Sequence, residues 1–62
     1  MSYLLSYLIN RMEDVKIRIK QLEHLKEKCV SKAYYIKLED ELCHQRSLLE
    51  ELIVIYQLAL EE

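Results

Sequence analysis

The chain has no glycine and no proline, and neither tryptophan nor phenylalanine. Tight hairpin turns, β-bulges and left-handed helix caps thereby lose the residues that form them at least cost, and sheet architectures are disfavoured relative to helix. Cysteine is scarce too. Cys29 and Cys43 offer one disulfide at most, too few to frame a secreted mini-domain, and their spacing matches no zinc signature, so free thiols are expected. Long apolar runs are also missing. The longest, Leu52 to Leu60, is about half of the roughly 20 residues that span a bilayer, and Arg11 cuts short the N-terminal apolar segment directly after "MSYLLSYLIN". That stretch has no basic residue ahead of its apolar part and no small-residue cleavage site. It does not read as a secretory signal, and a cytoplasmic location is expected.

What is present is a helix former's alphabet, dominated by Leu, Glu, Lys and Ile. At 52% hydrophobic and 32% charged, the chain is too apolar for disorder and too charged for a membrane protein. Its 62 residues allow one domain. A single core of that size rarely contributes more than about 3 to 5 kcal/mol, so stabilising help from a staple or a partner is expected.

The apolar periodicity divides the chain in two. Leu5, Leu8, Met12, Val15, Ile19, Leu22, Lys26 and Cys29 fall at alternating spacings of three and four, the a/d seam of a heptad helix with Lys26 as its polar intruder. Tyr35, Leu38, Leu42, Gln45, Leu49, Leu52, Tyr56 and Ala59 repeat the pattern with Gln45 as theirs. Carrying the first register past Cys29 would put Asp40, Ser47 and Glu50 on the seam, so the phase breaks between Val30 and Tyr34. The β-branched Val30 weakens the end of the first helix, and Ser31 can cap the second. The expectation is an all-α antiparallel hairpin in one domain, residues 1–62, with helices at about 2–29 and 34–60 and a turn at about 30–33. The rival is one continuous helix in a parallel coiled coil, which the lack of glycine and proline permits.

Antiparallel pairing demands that an a residue of one helix meet a d residue of the other in every layer. It is met throughout: Leu5 with Ala59, Leu8 with Tyr56, Met12 with Leu52, Val15 with Leu49, Ile19 with Gln45, Leu22 with Leu42, Lys26 with Leu38 and Cys29 with Tyr35. The same register sets Arg18 beside Glu41 on one flank and Glu23 beside Arg46 on the other. Residues 1–30 carry six Lys/Arg against four Asp/Glu, and residues 31–62 carry three against seven, so the halves have opposite net charge and favour pairing.

Two helices need only a narrow seam, yet Leu4, Ile9, Leu25, Tyr34, Leu48, Ile53, Ile55 and Leu60 add apolar side chains on the flanking e and g positions. The excess gathers where residues 3–9 lie against residues 52–60, and there Val54 and Leu58 carry it around the helix. Contiguous apolar surface of this kind marks an interaction site. The expected interface is Leu4, Ile9, Leu48, Ile53, Val54, Ile55, Leu58 and Leu60, and its least demanding occupant is a second hairpin, giving a homodimeric four-helix bundle.

Candidate chemistry is sparse. Glu41 and His44 have the Glu-x-x-His spacing of di-iron bundles, but such ligands must point into a core. The register puts Glu41 on a flank opposite Arg18 and His44 on the outer face. Asp40 with His44, or Cys43 beside His44, completes no four-ligand set. Cys43 has Lys37, His44 and Arg46 nearby in the chain but no base and orienting residue to make it a nucleophile. Lys26 and Gln45 either fix register as buried polar groups or reach water from the edge of the seam.

Two resemblances add alternatives. The stretch "LEELIVIYQ", Leu49 to Gln57, resembles the end of the second helix in the sporulation-phosphorelay aspartyl-phosphate phosphatases, and this implies a small hairpin that acts on response regulators. The family's Ser-Gln-x-Leu-Asp signature would fall at residues 46–50, where this chain has "RSLLE": Glu50 stands in place of the functional Asp, and the Ser-Gln pair is missing. The expected architecture is also similar to the plasmid copy-number regulators of the Rop type, hairpins that dimerise and bind RNA through one helical face. Here Arg11, Lys16, Arg18 and Lys20 are interrupted by Glu13, Asp14, Glu23 and Glu27. With a net charge of −2, a phosphate-binding footprint is not expected. The reading is therefore a non-enzymatic, cofactor-free hairpin module that self-associates and presents its apolar end or charged outer face to a protein partner. A designed helical bundle would carry the same pattern.

Overall fold

The computed structural model describes residues 2 to 61; Met1 and Glu62, the limits of the expected domain, lie outside them. It contains two helices, α1 (Ser2–Lys28) and α2 (Lys32–Glu61), packed antiparallel as a hairpin 47 Å long. The chain does not run on as one helix because Val30 and Ser31 stop it. Val30 is fully exposed, with no apolar partner to hold it in a further helical turn. The Cys29 N–H reaches back only three residues, to the Lys26 carbonyl at 3.3 Å, a tightened last turn.

The three-residue connection Cys29–Ser31 is one residue earlier and shorter than the expected turn at about 30–33, and the cap explains the difference. Ser31 is the N-cap: its Oγ accepts from Tyr34 N at 3.4 Å, and its carbonyl accepts the first intrahelical bond from Tyr35 N at 2.9 Å. A residue that caps through its third neighbour places the first helical residue immediately after itself, at Lys32. The Cys29 thiol donates to the same Ser31 carbonyl at 3.1 Å. No described residue has positive φ, so the reversal is made without the left-handed geometry that glycine would supply.

The core follows the expected seam. Leu8, Val15 and Leu52 form one buried cluster, with Met12, Leu48, Leu49, Tyr56 and Ala59 packed around it. Leu22, Leu38 and Leu42 form a second, with Cys29 against it. Ile19 touches both clusters, and its seam partner is Gln45, so a half-polar layer divides the core into two cells. Among the described residues six side chains are buried, Leu22 and Leu42 fully, and burying such a side chain is worth about 1.5 to 3 kcal/mol. That is a thin core for a chain of this length.

Candidate interaction surface

The hairpin has two long flanks, one on each side of the seam. The first, called here the Arg18 flank, carries Leu4, Arg11, Arg18 and Leu25 from α1 and Tyr34, Glu41, Leu48 and Ile55 from α2. The second, the Glu23 flank, carries Ile9, Lys16, Glu23 and Val30 from α1 and Glu39, Arg46, Ile53 and Leu60 from α2. Each is pinned by a cross-helix ion pair at the expected position. The Arg18 guanidinium grips Glu41 as a fork, Nε to Oε2 at 3.0 Å and Nη2 to Oε1 at 3.2 Å, and Arg18 Nη1 also reaches Gln21 Oε1 at 3.5 Å. Arg46 Nη2 donates to Glu23 Oε2 at 2.9 Å. Both pairs face water, and an exposed pair is worth about 0 to 1 kcal/mol, so they fix register more than they add stability.

The flanks are not equivalent. Every residue of the Glu23 flank is exposed, whereas Arg11, Glu41 and Leu48 of the Arg18 flank are half-buried. Leu48 packs against the Leu8–Val15–Leu52 cluster and is partly taken up by the hairpin's own core. The other seven residues of the expected interface are exposed, from 39% for Ile53 to 58% for Leu58. Leu4, Ile55 and Leu58 belong to or border the Arg18 flank, Ile9, Ile53 and Leu60 lie on the opposite one, and Val54 is on the back of α2. The apolar excess is therefore split between two faces.

Further exposed apolar residues extend the surface. Tyr3 and Tyr7 lie at the end away from the turn, and Leu25, Tyr34 and Ile36 lie toward the turn. The e and g pattern of the sequence already contains Leu25 and Tyr34; Tyr7 and Ile36 fall on outer helix positions, where periodicity gives no signal. Shallow depressions on α2 are lined by Ser47, Glu50, Glu51, Val54 and Ile55, and by Glu39, Leu42, Cys43, Arg46, Ser47 and Glu50 together with Lys26.

The seam polar residues resolve by geometry. Lys26 lays its stem along the seam, places its ammonium 3.7 Å from Glu39 Oε2 and holds it 5.5 Å above the Tyr35 ring, so its charge is kept at the edge of the core. Its position opposite Leu38 makes Glu39 and Tyr35 its neighbours on α2, a relation the register contains and sequence reading passed over. Tyr35 itself is more exposed than a seam residue usually is. Gln45 is half-buried beside Ile19. Cys29 and Cys43 are both free, the first half-buried at the turn and the second exposed. Glu41 is committed to Arg18, and among the described residues no three His, Cys, Asp or Glu side chains gather as a metal site. No helix among them is long and apolar enough to cross a membrane. Comparison with protein-family models, curated proteins and solved structures finds no match for this chain.

Proposed function

We propose that this chain is a non-enzymatic helical-hairpin module that works by assembly, pairing with a second copy of itself into a four-helix bundle and offering its remaining outer surface to a protein partner. The observation that carries this reading is the apolar surface the hairpin leaves in water. Tyr3, Leu4, Tyr7, Ile55, Leu58 and Leu60 stand between 44% and 91% exposed around one end of a molecule in whose core, among the described residues, six side chains are buried. Fully burying an exposed aliphatic side chain is worth about 1.5 to 3 kcal/mol and the aliphatic ones here are about half-exposed, so covering several of them together offsets the cost of association and adds stability that the short core lacks.

Sedimentation equilibrium tests the reading directly. The expected molar mass is twice the 7.5 kDa of the chain at micromolar concentration and above. A single species at the mass of one chain at high micromolar concentration sinks it.

A further inference from the structure

We propose that the Arg18 flank is the pairing face, and that two copies join on it side by side with their turns at the same end, related by a two-fold axis along the bundle. The proposal rests on the self-association reading above and adds which face pairs and in which direction.

Three observations select it. The Arg18 flank is apolar at both ends, with Leu4, Leu48 and Ile55 away from the turn and Leu25 and Tyr34 near it, and its charges are confined to a middle band of Arg11, Arg18 and Glu41. The Glu23 flank carries four charged residues, Lys16, Glu23, Glu39 and Arg46, and near the turn it sets Glu39 beside Val30 where the Arg18 flank has Leu25 and Tyr34, so it is apolar at one end only and covering its turn end would desolvate a carboxylate. Direction then follows from charge. With the axis along the bundle, α1 of one copy lies beside α2 of the other at the levels the hairpin already uses. Arg18, which grips its own Glu41, then also faces the partner's Glu41, and Leu4 faces the partner's Ile55. Turning one copy end over end instead lays α1 on α1. With full overlap this sets Arg11 and Arg18 against the partner's Arg11 and Arg18, and Ile55 against the partner's Glu41.

The size is adequate. A face of 47 by 14 Å gives on the order of 650 Å² per copy, about 1,300 Å² for the pair, inside the range of stable interfaces. The Glu23 flank and Val54 remain on the outside of the dimer.

The test uses the whole chain and three measurements. In sedimentation, L4E/I55E is expected to weaken the dimer about tenfold or more, whereas I9E/I53E leaves it within about threefold, with helix content followed by circular dichroism. Dissociation by the second pair and not the first overturns the choice of flank while leaving self-association standing. An unmodified chain that is monomeric defeats self-association itself. In the second measurement R18E places four carboxylates in the central layer of its own dimer and E41R four guanidiniums. Each alone is expected to dissociate and an equimolar mixture to form a one-to-one heterodimer. Failure of the mixture to pair overturns the proposed charge layer. The third keeps the interface intact: a spin label at Lys28→Cys in a Cys29→Ala, Cys43→Ser background. Turns at the same end predict a label separation within about 25 Å, and an end-over-end dimer more than about 35 Å, from 1.5 Å of rise per residue over the length of the bundle. The longer distance overturns the proposed direction.

Discussion

Ser31 caps α2 with both of its oxygens, the hydroxyl toward Tyr34 N and the carbonyl toward Tyr35 N, and the carbonyl also accepts the Cys29 thiol. In a chain with no glycine the reversal leans on this residue more than on backbone freedom. Ser31→Ala is expected to cost about 1 kcal/mol, read as a lower denaturation midpoint at fixed protein concentration, and Ser31→Gly only a few tenths. Leu22 and Leu42 are the two most deeply buried side chains and meet in one layer. Either one replaced by Ala should cost about 2 to 5 kcal/mol, several times the cap effect, because the packed layer cannot close over the gap. Equal losses at Ser31 and Leu22 would show that the turn, and not the seam, limits stability.

At the scale of the elements, the pairing of α1 with α2 was legible in the sequence because side-chain periodicity and layer matching act on the same residues. The seam that breaks phase at Val30 is restored by reversing direction, and the ion pairs Arg18–Glu41 and Glu23–Arg46 fall where the antiparallel register puts them. The helix ends were less legible. The capping hydrogen bond sets the start of α2 at Lys32, whereas the apolar repeat resumes only at Tyr35. The split of the apolar excess between two flanks was legible in the heptad positions, but the half-burial of Arg11, Glu41 and Leu48 was not, since the same heptad position is exposed at Leu4, Arg18 and Ile55 and burial there depends on the packing of each side chain. The two ion pairs supply a prediction at this scale. In the isolated hairpin both are exposed and each should couple by less than about 1 kcal/mol in a double-mutant cycle. If the Arg18 flank is buried between copies, the Arg18–Glu41 coupling should exceed the Glu23–Arg46 coupling, and the difference should vanish at dilutions where the chain is monomeric.

For the molecule as a whole, the thin core and the large apolar surface are two sides of one constraint. Two helices can bury no more than the stripe each turns to the other, and here the half-polar layer of Ile19 and Gln45 divides even that stripe into two cells. Any added core would come from outside the hairpin, and under the proposed self-pairing a second copy supplies it in proportion to the chain's own concentration. If the chain pairs as proposed, folding and pairing are one linked equilibrium, and the thermal midpoint should climb with protein concentration, because dimerisation stabilises the folded form by mass action. Scans over a hundredfold range of concentration should show the midpoint rising steadily, with L4E/I55E losing most of the slope and I9E/I53E keeping it. A midpoint that stays constant for the unmodified chain across that range would mean that the six buried side chains are sufficient by themselves, and that the apolar flank is held open for a different partner.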